Sequence, residues 1–371
     1  MHNIFLDNSS TTHLDPIVLQ EMLPYFTDKY GNSVSLHKMG QEASKATDRA
    51  KEKIAKLIGA KSDQIFFTNS ATESNNIILR SSSSCFRFLT TNSEHPSVSE
   101  SIKYIDKHTQ SGIVSQYIKV EKDGTIDLDK IEKKLKNYKI DLFSCIGVNN
   151  EIGTIHPIRE IADMCKKYNV LFHSDFTQGV GKVSIDVSET NIFALSFSSH
   201  KIYGPKGAGC LYIRYPERVE ALLLGGFQNT ISSGTQNVPA IVGFGKACEL
   251  MTNSKKENER IRQLRDSMLE SLLEIQGSYI NGTMQNRLPG NISITIPGIN
   301  SRDLVMCLKN ICVSSGSACQ SSKPAPSDTM KAIGNKHHSS VIRICIGRFN
   351  TSDDVEMATN KIIYMVRKMR K

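Results

Sequence analysis

The sequence contains no apolar run long enough to cross a membrane. No window of the 371-residue chain approaches the ~18 consecutive apolar residues that a membrane helix needs. The apolar run near the N-terminus ends at Asp7 and is too short for the core of a signal peptide. We therefore expect a cytoplasmic protein with no membrane partner.

The chain also lacks the cysteine spacing of a zinc ribbon. Its nine cysteines include no pair separated by two residues, and they are too scattered and odd in number for a disulfide framework. We expect no metal site and mostly reduced, buried thiols. The sequence shows no internal repeat and no long low-complexity tract. The nearest to such a tract are the serine-rich residues 81–84 and 321–327, and both are short enough to be loops.

Basic residues exceed acidic residues, but the excess is local. The formal net charge is +9, and the last eleven residues hold five bases and no acid. A nucleic-acid-binding protein is an alternative that depends on this basic end. It predicts binding that weakens steeply with salt and is lost when residues 361–371 are removed. We do not expect direct nucleic-acid binding.

Strand-like and helix-like segments alternate through the first two thirds of the chain. Apolar residues spaced by three and four, as in Leu128, Ile131 and Leu135, predict the helices. This alternation is typical of a mainly parallel sheet covered by helices on both faces, an α/β fold. The predicted strands are 65–68, 86–90, 113–120, 140–148, 170–173 and 192–196.

The pattern changes after about residue 239 and predicts a second, smaller α+β domain. A long helix is expected over 241–275, followed by a strand near Ile294, a helix over 302–309, a strand in VIRICI and a closing amphipathic helix. We expect a large domain of residues 14–256. Residues 1–13 and 257–371 would form the small domain.

Lys201 lies just beyond a predicted strand, with Ser198 and His200 beside it and a Gly/Pro-rich turn after it. A lone lysine in such a place is usually solvated. Its other interpretation is a Schiff-base lysine, whose amine must lie near an aldehyde and be partly desolvated. That interpretation requires the rest of a pyridoxal-phosphate (PLP) site.

Candidate partners for such a cofactor follow other predicted strands. Asp175 could pair with the pyridinium nitrogen, and residues 69–72 could bind a phosphate at a helix N-terminus. His95 could stack on a planar ring or move protons, and residues 149–153 offer amide donors. Each could instead be a cap or turn residue. Together with Lys201, these are five positions, and all five fall at strand ends, where ligands of open α/β sheets bind.

Cys319 differs from the other cysteines because small and polar residues surround it. Such a loop gives the exposure and reach that a thiolate nucleophile needs, although it could also hold an incidental cysteine. Arg343 and Arg348 are candidates for gripping a substrate carboxylate.

With these residues assembled, the chain resembles the cysteine desulfurases of the NifS/IscS type, which belong to the fold-type I, class-V aminotransferase group of PLP enzymes. The resemblance runs nearly end to end and rests on nine motifs in the family's order. They are FLDNSSTTHLDP, GNSVSLHKMG, NSATESNN, EHPSV, NNEIG, SDFTQGVGK, SSHKIYGPKG, SSGSAC and IRICIGRF.

The resemblance implies a seven-stranded-type sheet and a role for each matching residue. Lys201 would bind PLP covalently, Asp175 would pair with the pyridinium nitrogen, and His95 would stack on the ring and move protons. Arg343 and Asn150 would bind the substrate. Ala71, Thr72, Ser198 and His200 would hold the phosphate, and Asn150 and Gln178 would lie against the ring.

The family's activity would be conversion of L-cysteine to L-alanine, with the sulfur passing to Cys319 as a persulfide and then to an acceptor protein. Iron–sulfur cluster assembly, tRNA thiolation and DNA phosphorothioation are all compatible acceptor pathways. Thr235 resembles a threonine that serves the neighbouring subunit's phosphate site, which implies a homodimer.

The sequence departs from the family pattern at two places, and alternative functions stay open. Ser232 stands where arginine is usual, and residues 225–229 read GGFQN instead of GGGQE or GGGHE. The Ser232 change keeps a cofactor-impaired sulfur-transfer partner as an alternative. A selenocysteine lyase or aminotransferase of the same fold is the nearer alternative. The end of the chain also looks shorter than in relatives that dock an iron–sulfur scaffold there.

Overall fold

The structure is a computed structural model. It describes the chain in five stretches, which are residues 3–80, 87–108, 115–225, 231–316 and 326–371.

A seven-stranded sheet forms the centre of the larger part of the molecule. The strand order is β2-β8-β7-β6-β5-β3-β4, and every pairing is parallel except those of β8 with β2 and β7. The mainly parallel α/β prediction is therefore confirmed. The strands are β2 (Ile65–Thr68), β3 (Phe88–Thr91), β4 (Gln116–Ile118), β5 (Leu142–Ser144), β6 (Leu171–Asp175), β7 (Ala194–Ser198) and β8 (Gly209–Ile213).

Helices cover this sheet and bury an apolar core against it. Phe143, Phe172 and Phe197 are among the fully buried side chains, because strands covered on both faces bury nearly every residue. The helices are α1 (Pro16–Met22), α2 (Pro24–Thr27), α3 (Lys38–Ile58), α4 (Ala71–Arg80), α5 (Pro96–His108), α6 (Leu128–Asn137), α7 (Ile158–Lys167) and α8 (Val238–Met251).

Both ends of the chain contribute to a second apolar core. Strand β1 (Ile4–Phe5) pairs in parallel with β11 (Ile311–Cys312). Ile4 and Leu6 pack in this core with side chains from residues 261–366. The domain bounds given above stay a prediction. The remaining elements are α9 (Lys255–Leu273), β9 (Tyr279–Ile280), β10 (Asn291–Thr295), α10 (Ser301–Leu308), α11 (Asp328–Ala332), β12 (Val341–Cys345) and α12 (Ser352–Met369), with β12, β10 and β9 forming one antiparallel sheet.

The prediction of a single long helix over 241–275 is wrong. Helix α8 ends at Met251 and α9 begins at Lys255, with turns at 252–254. Ser254 donates from Oγ to the Gly181 carbonyl oxygen at 2.7 Å. Short polar side chains that bond nearby backbone compete with helix geometry, which is why apolar spacing alone misses this break.

The thiols of the described residues are mostly buried, as expected, and one of them is exposed. Cys145, Cys165, Cys210, Cys248 and Cys345 are buried free thiols, and Cys312 is half-buried. Cys307 is exposed, so its apolar sequence neighbours misled the prediction. In the described stretches no helix is long and apolar enough to span a membrane.

Helix α12 offers a matched pair for testing how the second core contributes to stability. Ile362 is fully buried, whereas Tyr364 on the same helix is 59% exposed. We expect Ile362→Ala to lower the free energy of unfolding by about 2–5 kcal/mol, because it leaves a cavity. Tyr364→Ala should change it by no more than about 0.5 kcal/mol. Urea denaturation measures both values, and equal losses would contradict this packing.

Candidate active site

A cavity of about 280 Å³ opens at the carboxyl ends of the central strands. Most of the predicted site residues line it, and this agrees with the rule that ligands of α/β sheets bind at that edge. Thr235 is not among the lining residues, and Cys319 lies outside the described stretches. The predicted residues that meet here are Ala71, Thr72, His95, Asn150, Asp175, Gln178, Ser198, His200, Lys201 and Arg343.

Lys201 reaches this cavity from a short 3₁₀ turn that follows β7. Its Nζ donates to the carbonyl oxygens of Ser9 and Ser10 at 2.7 and 2.6 Å. Both acceptors lie in the N-terminal segment, so this segment fixes the amine at the cavity wall. His200 has its pKa lowered to about 4, by burial first and then by the nearby lysine cations.

The first turn of α4 forms another wall of the cavity. Ala71 and Thr72 begin the helix, and Ser70 caps it by accepting from the Glu73 N–H at 3.1 Å. Gly209 on β8 allows this turn to approach, since a Cβ there would lie 2.5 Å from the Ser70 backbone. Backbone N–H groups at a helix N-terminus favour an anion.

Asp175 ends β6 and is nearly fully buried. Its Oδ1 accepts from the Thr177 N–H at 3.0 Å, and its Oδ2 accepts from Asn75 Nδ2 at 2.9 Å. Asn75 Nδ2 also donates to Ser97 Oγ at 2.8 Å, and Ser97 Oγ lies 2.8 Å from His95 Nδ1. A chain of hydrogen bonds therefore joins Asp175 to His95.

The two candidate arginines have different environments. Arg343 lines the cavity and donates to Asp7 Oδ1 at 2.9 Å and to the Asn150 carbonyl oxygen at 3.1 Å. Arg348 is not among the residues that line this cavity. It forms ion pairs with Asp15 at 2.8 Å and Glu257 at 2.7 Å, so its contacts are structural.

Two buried titratable groups beside the cavity were not predicted. Glu94 accepts from Thr91 Oγ1 at 2.5 Å and from the Ile146 N–H at 3.0 Å. Burial, assisted by the nearby Asp175, raises the Glu94 pKa to about 8. His173 on β6 is held between two serine hydroxyls, and burial lowers its pKa.

Thr235 lies in a separate exposed depression, beside Asn69, Glu73 and Ser232. Ser232 Oγ donates to Glu73 Oε1 at 2.5 Å. The serine that departs from the family pattern therefore bonds a glutamate in the first turn of α4, directly behind the cavity wall.

Comparison with known proteins assigns the chain to one family. Residues 4–357 match the model of the class-V aminotransferases. The chain is 41% identical to the cysteine desulfurase IscS of Rickettsia typhi, over 99% of this chain and 92% of that protein. The chain belongs to the cysteine desulfurase group of the class-V aminotransferases.

Solved structures agree with this assignment. A NifS-like protein superposes with a TM-score of 0.90 at 33% identity, over 99% of this chain and all of that one. A structure described as SspA in complex with cysteine superposes with a TM-score of 0.80 at 28% identity, over 94% of this chain and 99% of that one.

Class-V aminotransferases and cysteine desulfurases depend on PLP, and this chain is a PLP enzyme. Its cavity fits the cofactor, because buried polar atoms of lining residues have no hydrogen-bond partner among the described residues. The N-terminus of α4 would hold the phosphate, and the Asp175 carboxylate would pair with the pyridinium nitrogen. The unpartnered lining atoms are Thr177 Oγ1, Gln178 Oε1, Ser198 Oγ and Arg343 Nε.

The sequence did not indicate three residues that contact or adjoin the predicted ones, and one of them, Ser97, lines the cavity itself. Asn75 and Ser97 lie inside helices, and Glu94 directly precedes His95. A carboxyl or amide in a segment that is otherwise buried could have indicated them, but only the tertiary contacts identify their partners.

The buried Glu94 carboxyl should make stability fall as pH rises. Between pH about 4.5 and about 8 the unfolded chain has released this proton and the native protein still holds it. The free energy of unfolding should therefore decrease by up to ~1.4 kcal/mol per pH unit from this group alone.

Glu94→Gln should flatten the slope over this pH range, and urea denaturation at several pH values measures it. Glu100→Gln is the control, because that glutamate is exposed on α5. An unchanged slope in Glu94→Gln would show that the carboxyl is ionised in the native protein.

Proposed function

We propose that the enzyme converts L-cysteine to L-alanine and transfers the sulfur to its own Cys319, for delivery to an acceptor protein. The observation that carries this proposal is the meeting of Lys201, Asp175, His95 and Arg343 in one cavity of a chain from the cysteine desulfurase group. The cavity is small, and the charged side chains of Asp175, Lys201 and Arg343 line it, which suits a small zwitterionic substrate.

Each cavity residue has a proposed task. PLP, when bound, supplies an electron-accepting ring. Lys201 binds the cofactor and, when released, moves a proton at the substrate's Cα. Arg343 grips the substrate carboxylate with its guanidinium, and Asn150 lies beside it. Ala71, Thr72, Ser198 and His200 hold the phosphate, while Gln178 contacts the cofactor. Asp175 pairs with the pyridinium nitrogen, and His95 stacks on the ring and takes part in proton transfer.

The sulfur step balances without an external oxidant or reductant. The Cys319 thiolate attacks the substrate sulfur, so an S–S bond forms as the substrate's C–S bond breaks. The electron pair of the C–S bond stays on carbon, which then takes a proton. L-Cysteine and one thiol give L-alanine and one persulfide.

Cys319→Ser tests the assignment, with Cys307→Ser as the control because Cys307 is an exposed thiol on α10. We expect Cys319→Ser to lose protein-bound persulfide and to lower alanine production from L-cysteine by at least tenfold. Cys307→Ser should keep both activities. Mass spectrometry of the intact enzyme and amino-acid analysis of the products measure them.

Other products would point to the alternative functions. A keto acid would indicate an aminotransferase, and turnover of selenocysteine but not L-cysteine would indicate a selenocysteine lyase. Colourless protein that cannot be reconstituted with PLP would indicate a cofactor-impaired partner. Persulfide on Cys319→Ser at the parent rate would contradict the role of Cys319.

The proposed enzyme is a homodimer in which Thr235 serves the partner's phosphate site. Exposed apolar side chains within residues 17–36 support this proposal, because apolar side chains left exposed in a single chain often mark interfaces. Ser33 donates to Gln236 Oε1 at 2.9 Å, so the segment that carries them contacts the Thr235 segment. These side chains are Ile17, Leu19, Leu23, Phe26, Tyr30, Val34 and Leu36.

Leu36→Asp should weaken the dimer at least tenfold, because a buried interface would receive an unpaired charge. Leu36 is 90% exposed in the single chain, so the change should not harm the fold. Met306→Asp, at an exposed position on α10, is the control. Sedimentation equilibrium measures the dissociation constant, and equal dimer stability in both variants would contradict the proposed interface.

The acceptor is proposed to be an iron–sulfur scaffold, by analogy with the IscS relative, with a tRNA-thiolation or DNA-phosphorothioation protein as alternatives. Seven free cysteines among the described residues suit a reducing compartment, and we propose the cytoplasm.

A further inference from the structure

Asn75 and Ser97 join two side chains of the cavity, Asp175 and His95, through hydrogen bonds. Asn75 is fully buried on α4, and Ser97 lies in the first turn of α5. Asp175 and His95, which they contact, both line the cavity.

The orientation of the Asn75 amide follows from its neighbours. If its oxygen faced Asp175, two acceptors would oppose each other in a buried site, which is costly. The NH₂ group must therefore point to Asp175 Oδ2 and Ser97 Oγ, as the 2.9 and 2.8 Å distances indicate.

This orientation decides where the Ser97 hydroxyl proton points. Since Ser97 Oγ accepts from Asn75, its own O–H is available for His95 Nδ1 at 2.8 Å. The Ser97 backbone N–H donates to the same Nδ1 at 3.1 Å. Two donors aimed at one ring nitrogen leave no room for a proton there, so the neutral ring carries its proton on Nε2.

We propose that Asn75 and Ser97 are positioning residues that keep His95 neutral, with its proton on Nε2. This inference deepens the proposed function and rests on it. His95 then contributes a flat ring and one N–H donor to the cavity, and removal of the substrate's Cα proton is left to Lys201.

The charges around His95 agree with a neutral ring. Burial lowers the pKa of His95, and Lys201 lowers it further, whereas Asp175 raises it. Arg343 lines the same cavity, and Glu94, the preceding residue, has a raised pKa and is protonated at neutral pH. His95 also directly precedes α5, and the N-terminus of a helix disfavours a nearby cation.

Nitrogen NMR of the holoenzyme with ¹⁵N-labelled histidine tests the proposal. The His95 signals are identified among the ten histidines by their loss in His95→Gln. We expect a protonated Nε2 and an unprotonated, hydrogen-bonded Nδ1. Ser97→Ala should raise the His95 titration point by roughly half to one pH unit, since one donor to the unprotonated nitrogen is lost. Ser97→Thr should restore the parent value.

Ser101→Ala is the matched control. Ser101 Oγ donates to Asn76 Oδ1 at 3.0 Å, so this pair also joins α5 to α4 but does not contact His95. A proton on Nδ1 in the parent enzyme, or equal shifts in Ser97→Ala and Ser101→Ala, would overturn the proposal. The NMR measurement needs no L-cysteine, so its failure is distinct from a failure to form alanine and persulfide.

Discussion

The cost of burying the Asp175 carboxylate is the constraint on which the rest of the site depends. A carboxylate in an apolar interior must be bonded by donors or lose its charge. Thr177 and Asn75 supply one donor to each of its oxygens. Asn75 has a second N–H, which donates to Ser97 Oγ, and Ser97 Oγ in turn lies within hydrogen-bond distance of His95 Nδ1. One buried charge thereby orders side chains from β6, α4 and α5.

The N-terminal segment, residues 7–15, holds Lys201 and Arg343 in place. The Ser9 and Ser10 carbonyl groups accept from Lys201. Thr12 Oγ1 donates to the His200 carbonyl oxygen and accepts from the Tyr203 N–H, so it bonds the chain on both sides of Lys201. Asp7 pairs with Arg343, and Asp15 pairs with Arg348. Residues 7–15, which form no helix or strand, are therefore bonded both to residues that line the cavity and to Arg348, which lies outside it.

Sequence patterns predicted the parts of this site that local chemistry determines. Lys201, Asp175 and His95 follow strands, and the carboxyl ends of parallel strands meet at one edge, so their proximity could be inferred. The partners of Asn75 and Ser97 could not be inferred, because a polar residue within a helix is usually solvated and only the neighbouring helix decides otherwise. The 252–254 break and the exposure of Cys307 depend in the same way on contacts distant in sequence.

The pairing of Asp7 with Arg343 has a consequence for how the enzyme is made. These residues lie 336 positions apart, near opposite ends of the chain. During synthesis the first of them leaves the ribosome long before the second. A polypeptide interrupted before β12 has no partner for Asp7 and no guanidinium in the cavity. Translation through β12 is therefore needed to bring Arg343 to the cavity, and chains interrupted earlier lack the group proposed to grip L-cysteine.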